Sequence, residues 1–267
     1  MPISRANGLD IYYEKAGQGP PLMLIHALPF NHNLWQYQVA SLSSRFTTYA
    51  VDLRGWGRST KPHTPFTLGD MGADVMGVLN DEGVAGPVVL MGCSIGSKIA
   101  LKLACEHPEK VSAAILIGGN SGRPDFSKRI ADYRAQAKAG TLVDYHRAHL
   151  RHGVSTPWAE TELGAFIIES FVDHYGKLDA DSIAQVFGAM EGSDLTDARR
   201  TCRVPVLVVN GEFDSAFEGG AETAADTPGA QRAIIEGAGH CCFIEKPDVF
   251  DALTRRFLSK KGLWPKA

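Results

Sequence analysis

The 267-residue chain has no apolar run near the roughly 18 residues that a membrane-crossing helix needs. Its opening, Met1-Pro2-Ile3-Ser4-Arg5-Ala6-Asn7-Gly8, carries no apolar core of a cleaved secretory signal, so export by that route is not expected. Cysteine is scarce, and Cys93, Cys105, Cys202, Cys241 and Cys242 are odd in number and irregularly spaced. That excludes a disulfide scaffold and points to reduced thiols in a cytoplasm. No charge of one sign dominates. Lysine and arginine number 27 against 30 aspartates and glutamates, a formal charge of −3, so no broad footprint for nucleic acid is present. Internal repeats and low-complexity stretches are absent. Gly55-Trp56-Gly57 lacks the lysine and spacing of a phosphate loop, and no dinucleotide fingerprint follows the first strand. No cofactor is therefore expected. What remains is 44% hydrophobic and 21% charged, which excludes a disordered chain and fits a globular one.

The opening reads as a hairpin, Pro2 to Ala6 and Leu9 to Glu14, turning at Asn7-Gly8, a dipeptide that accepts the positive φ of a tight turn. Short apolar runs follow at Leu22–Ile25, Thr47–Val51, Val88–Met91, Ala113–Ile117, Val206–Val209 and Arg232–Ile235. Continuous runs of this kind suit strands buried on both faces of a parallel sheet. Helix candidates lie between and after them, among them Ser97–Glu106 and Asp248–Ser259, the latter introduced by Pro247. Strand alternating with helix predicts an α/β architecture. From Gly122 to Arg203 no buried strand is evident. Helical patterning there comes in three or four pieces, broken at Gly140, Pro157, Gly176 and Gly192. Because the strand pattern resumes cleanly after Val204-Pro205, we read 122–203 as a helical cap inserted in a core formed by 1–121 and 204–267.

Gly92-Cys93-Ser94-Ile95-Gly96 matches G-x-S-x-G between an apolar strand and a helix. That context gives the motif its specificity, since a serine on a sharp strand-to-helix turn is thrust into the cleft at the end of the sheet. The glycines on either side remove side chains that would clash. A serine hydroxyl needs a base. His240, in Gly237-Ala238-Gly239-His240 just past the sixth apolar run, is placed to reach a neighbouring strand end. The base in turn needs an orienting carboxylate, and Glu212, Asp214 and Glu218 all follow the run Val206–Val209.

These motifs, with His26-Ala27-Leu28-Pro29 and Asp52-Leu53-Arg54-Gly55-Trp56-Gly57-Arg58-Ser59, give a resemblance to the α/β-hydrolase superfamily that covers essentially the whole chain. The resemblance is to its cap-bearing members, and length and motif layout are similar to 3-oxoadipate enol-lactonases and small carboxylesterases. It implies an α/β-hydrolase fold, a mostly parallel sheet flanked by helices with an inserted helical cap. It also implies a catalytic set of Ser94, Asp214 and His240, in that chain order, with Asn120 standing where some members carry the acid. An oxyanion hole from the backbone amides of Ile95 and Leu28 is implied too. Asp52 and Arg54 are implied to brace loops. Two departures stand out: Ala27 where glycine is usual after the histidine, and Ser97-Lys98 where a further glycine is common.

The implied activity is hydrolysis of a small-molecule carboxylic ester or lactone through an acyl-enzyme. Serine at the elbow excludes the branches built on aspartate there. Three alternatives stay open: a carbon–carbon bond hydrolase of the meta-cleavage type, a cofactor-free perhydrolase, and a slow-turnover ligand receptor. The first usually shows Gly-Asn-Ser-Met-Gly-Gly and a tryptophan after the histidine, where this chain has Gly-Cys-Ser-Ile-Gly-Ser and Cys241. Among aromatics, Phe30, Trp158, Phe166 and Phe171 are expected to touch substrate, with Trp35, Tyr175 and Phe187 as further candidates. His146, His149 and His152 could suggest a metal. Their spacing diverges around a helix and Arg147 and Arg151 are interleaved, so a solvated face is expected instead. The cysteines beside Ser94 and His240 are read as small buried hydrophobes.

Overall fold

The computed structural model describes residues 2–173 and 178–266. Its strands are β1 (Ile3–Ser4), β2 (Ile11–Ala16), β3 (Pro21–Ile25), β4 (Thr47–Val51), β5 (Val88–Cys93), β6 (Val111–Ile117), β7 (Val206–Gly211) and β8 (Gln231–Ile235). They form one sheet in the order β1-β2-β4-β3-β5-β6-β7-β8. β1 and β2 run antiparallel to their neighbours, and the strands from β4 across to β8 are parallel. β5 is buried at every residue, as its unbroken apolar run predicts. β8 departs from that expectation. It is an edge strand whose exposure alternates, with Ile234 46% exposed.

The opening hairpin is wider than Asn7-Gly8 alone predicts. Ile3 faces Tyr12, and a 3₁₀ turn over Ala6–Gly8 intervenes, with Asn7 and Gly8 at positive φ as expected. The reason is competition for the backbone. Asp10 exchanges hydrogen bonds with Thr60, and the Tyr12 amide donates to Ser59 Oγ at 2.8 Å. The segment is thereby tied to the 52–60 loop as well as to β1, with which it pairs only at Ile3 with Tyr12 and Ser4 with Ile11.

The helices of the core are α1 (Gln36–Leu42), α2 (Leu68–Asp81) and α3 (Ile95–Glu106). Between β6 and β7 come α4 (Ser127–Ala139), α5 (Leu142–Arg151), α6 (Thr156–Ala159), α7 (Glu162–Asp173), α8 (Ala180–Glu191) and α9 (Thr196–Arg200). α10 (Phe217–Asp226), α11 (Cys242–Glu245) and α12 (Pro247–Lys260) complete the set. Gly140 closes α4 in the left-handed region, and Gly192 follows α8. Pro157 opens a helix rather than breaking one, since it lies in the first turn of α6 behind the Ser155 cap. Tyr175 and Gly176 lie outside the described residues. Among the described residues, no helix is long and apolar enough to cross a membrane.

Register decides where functional side chains meet. Gly92 of β5 pairs with Ile25 of β3, Cys93 with Ile117 of β6, and Ile117 with Val209 of β7. The parallel strands therefore end at one level, and the loops leaving them cluster outside that edge. This is where an open α/β sheet holds its ligands.

Candidate active site

Ser94 leaves β5 with φ 55° and ψ −113°, and α3 begins at the next residue. A non-glycine residue in this region costs about 1–3 kcal/mol and persists only where its surroundings enforce it. Here the Ser94 amide donates to Ile117 O at 2.8 Å. A Cβ on Gly96 would lie 2.1 Å from Ile25 O, and one on Gly92 would lie 2.2 Å from the Gly96 backbone. α3 can pack this close to β3 and β5 only because both positions lack side chains. Of the departures from the usual pattern, Ser97 is absorbed locally, its Oγ donating to Ser94 O at 2.7 Å.

His240 Nδ1 lies 2.6 Å from Asp214 Oδ1. The carboxylate is an acceptor, so Nδ1 carries a proton, and in the neutral imidazole Nε2 keeps its lone pair. Asp214 is buried and also accepts from the Ala216 amide and from Asn210 Nδ2, both at 2.8 Å. Burial works against its charge, but His240 and these donors prevail and hold its pKa below the usual value. For His240 burial likewise opposes the charge, and the Asp214 carboxylate with its hydrogen bond raises the pKa above 6.5. Glu212 instead accepts from the Gly237 amide at 2.9 Å.

Gly118 lies beneath the imidazole at φ 56°, and a Cβ there would approach His240 Cε1 to 2.5 Å. If His240 works where it stands, Gly118→Ala is expected to lower kcat by about a hundredfold by displacing the ring. Gly140→Ala has a similar positive φ but open space at its Cβ position. It should lower the melting temperature without that kinetic loss, and equal kinetics for the two variants would contradict the role given to Gly118.

The loop after β3 is fixed through His26. Nε2 accepts the Leu53 amide at 3.0 Å, so Nδ1 carries the proton directed to Ala27 O at 2.9 Å. Burial lowers its pKa to about 4, keeping it neutral and in this tautomer. Asp52 accepts from the His32 and Arg58 amides at 2.7 and 2.8 Å, and Arg54 makes a two-pronged pair with Asp74. Both therefore brace loops, in keeping with their position away from the cavity. The Leu28 amide donates to no described residue, and Ile95, at the start of α3, lacks an intrahelical acceptor for its N–H.

Ser94, His240 and Leu28 open onto a single cavity of about 290 Å³. The segment between β6 and β7 contributes Phe126, Arg129, His149, His152, Gly153, Phe187 and Met190 to its walls. Phe30, Trp158, Phe166 and Phe171 are not among the lining residues. Phe30 and Phe171 are buried edge to face at 5.1 Å, one layer behind Gly153, and Phe166 is 69% exposed on the surface. Trp158 is partly buried against the core, and Trp35 stacks on Phe243. Of the three histidines expected on a solvated face, only His152, just past the end of α5, is exposed. His146 is buried and stacked on Trp56, while His149 and His152 face the cavity. Among the described residues, no group of three or more His, Cys, Asp or Glu is placed to hold a metal. Burial pushes the Cys93 and Cys242 thiols well up, which keeps them inert.

Sequence reasoning missed three residues. Asn210 positions Asp214. Glu245 accepts from Gly239 N, Ser155 N and Ser155 Oγ, joining the His240 loop to the segment before α6, and the Cys241 amide adds a bond to Gly153 O at 2.7 Å. Lys98, 3% exposed, lines the cavity. Its place four residues after Ser94 on a helix was the available signal, since that spacing puts two residues on one face.

Residues 20–247 match the family model described as alpha/beta hydrolase fold. The AB hydrolase superfamily protein YisY of Bacillus subtilis strain 168 is 26% identical over 96% of this chain and 97% of its own. The crystal structure of the enol-lactonase from Burkholderia xenovorans LB400 has a TM-score of 0.88 at 24% identity, covering 97% of this chain and 100% of that one. Est816, described as an N-acyl homoserine lactone degrading enzyme, is 26% identical with a TM-score of 0.81, covering 96% of this chain and 100% of its own.

Proposed function

Because the chain belongs to the alpha/beta hydrolase fold family, we propose that it is a serine hydrolase cleaving a small carboxylic ester or lactone. The observation that carries this reading is the strained Ser94 and the His240–Asp214 pair opening on one cavity. Est816 and the Burkholderia enol-lactonase, both named for lactone chemistry, support it.

Ser94 Oγ attacks the substrate carbonyl carbon while His240 Nε2 takes its proton. Asp214 holds the imidazole in the tautomer that leaves Nε2 free and stabilises the imidazolium. The tetrahedral intermediate places its oxyanion toward the Ile95 and Leu28 amides, which do not have to give up protein partners to meet it. Collapse breaks the C–O bond, and His240 returns the proton to the leaving oxygen. Water then repeats the sequence on the acyl-serine, releasing the acid. In a lactone the leaving oxygen stays tethered, so one molecule with two new ends departs.

The helices from 122 to 203 act as the cap that sets substrate choice, through the residues that line the cavity. Phe187→Leu is expected to change the ranking of short against branched acyl esters by about tenfold, the worth of a reshaped apolar contact. Phe166→Ala, on the surface, should leave the ranking alone, and the reverse pattern would count against this cap.

The experiment that tests the function is a hydrolysis screen over p-nitrophenyl esters, lactones and a ring-fission dienoate, with a fluorophosphonate to label the nucleophile. Turnover of esters or lactones with label on Ser94 is expected. Turnover of the dienoate alone would favour carbon–carbon cleavage. Label on Ser94 with turnover slower than about one per hour would favour a receptor, far below the usual 1–10³ s⁻¹ of enzymes.

A further inference from the structure

The cavity that holds Ser94 is lopsided in charge. Its walls include Lys98 and Arg129, with His149 and His152 beside them, and among the described residues no aspartate or glutamate lines it. Lys98 is the unusual member. It is 3% exposed, and its Nζ has a single hydrogen-bond partner among the described residues, the neutral Gly122 O at 2.5 Å. No carboxylate lies within ion-pair distance of it among the described residues. Lysine is rarely buried without an anionic partner, because removing an ammonium from water is costly unless a counter-charge replaces the lost hydration. Arg129 stands at the exposed rim against the rings of Phe126 and Phe187, and none of the ion pairs among the described residues includes it.

From this juxtaposition we infer that the cavity takes an ester or lactone that carries its own carboxylate, held by Lys98 with Arg129 at the rim, so that Lys98 is a specificity-determining residue. The inference rests on the hydrolase reading above and narrows it. A neutral ester leaves the buried ammonium uncompensated, whereas a carboxylate completes a charge-assisted pair inside a water-poor cavity. Burial holds the Lys98 pKa down to about 8 against the more distant pull of Asp194, the behaviour of a cation whose partner is missing. The cavity is also small for a ligand site, where volumes begin near about 300 Å³. That suits a short half-ester of a dicarboxylic acid or a compact lactone acid. Hydrolysis of either yields a second carboxylate, so the short dicarboxylate product should compete with substrate.

The test compares the mono-p-nitrophenyl ester of glutaric acid with p-nitrophenyl valerate, matched in acyl carbon count and differing in charge. The wild-type protein is expected to prefer the anionic ester. In Lys98→Met the ratio of kcat/KM values, anionic to neutral, is expected to fall about tenfold to a hundredfold, through KM of the anionic ester, the worth of one hydrogen-bonded charge. Arg129→Met, at an exposed position that the fold tolerates, should lower the same ratio by about threefold. It gives a second reading should Lys98→Met fail to fold. Calorimetry with glutarate separates this inference from the hydrolase reading. If neither ester turns over but glutarate binds the wild type and is weakened in the variants, the ester chemistry fails and the anion site stands. A wild-type preference for the neutral ester, or glutarate binding unchanged by either substitution, overturns the inference.

Discussion

Ser94→Ala is expected to lose on the order of 10⁶-fold in kcat toward any substrate the wild type hydrolyses, because the nucleophile of an acyl-enzyme pathway has no substitute. Stability should barely move. The strain at this position belongs to the backbone, at φ 55°, and is enforced by the close approach of Gly92 and Gly96 to their neighbours. Alanine bears that strain as serine does, so the change in unfolding free energy should stay within about 0.5 kcal/mol. Activity assays, a denaturant titration and fluorophosphonate labelling check this together. Labelling of a different serine, or turnover surviving in Ser94→Ala, would remove Ser94 from the mechanism.

The second large effect is expected at Asp214. Replacing it by asparagine keeps the shape, but the amide cannot stabilise an imidazolium and can hold His240 in the opposite tautomer. The loss in kcat should be on the order of 10⁴-fold, as when the acid of a serine-protease triad is amidated. The pH profile adds a signature that simple misfolding would not give. His240 must be neutral to act as base, so wild-type kcat/KM should rise with pH through its elevated pKa, placing the acid limb above 6.5. In Asp214→Asn the opposing burial is left alone, and the residual activity should carry its acid limb below 6.5. Linkage gives a matching sign for stability. The raised His240 pKa contributes stability that is full below 6.5 and is lost as pH climbs through the folded-state value. Asp214→Asn should erase that dependence. If Glu212→Gln or Glu218→Gln abolishes activity while Asp214→Asn does not, the acid is misassigned.

Much of this arrangement was legible in the chain because the signals are local. The apolar runs that became β3 to β7 sit beside the turns and helices that end them, and the Ser94 elbow needs only a strand, two glycines and a helix in sequence. His240 and Asp214 follow strand ends, and the parallel sheet brings strand ends together without further information. What stayed hidden depends on contacts between distant segments. Lysine ordinarily marks a solvated face, and Lys98 is buried because the chain near Gly122 folds over it. Phe30 and Phe171 have the composition of a pocket wall, yet pack on each other, and no periodicity separates an aromatic that fills the core from one that faces a cavity. His146 is hidden for the same reason, since its partner Trp56 lies in the loop after β4. The opening hairpin forms, but its turn is wider than the sequence suggests because Thr60 and Ser59, far along the chain, claim its backbone.

Glu245 grips Gly239 on one side and Ser155 on the other, and the Cys241 amide reaches across to Gly153. This seam has a consequence for recombination. The helices between β6 and β7 look like a cassette that could be traded among relatives to transplant substrate preference, with junctions at the ends of the two strands. They are stitched, however, to the loop that carries the proposed base, some forty residues beyond the second junction. A chimera that imports 122–203 and keeps the host's 239–245 would unite two halves that never shaped each other. The defect would surface as a misaimed histidine rather than as altered selectivity. Grafts cut to include both stretches are the ones expected to carry preference and turnover across together.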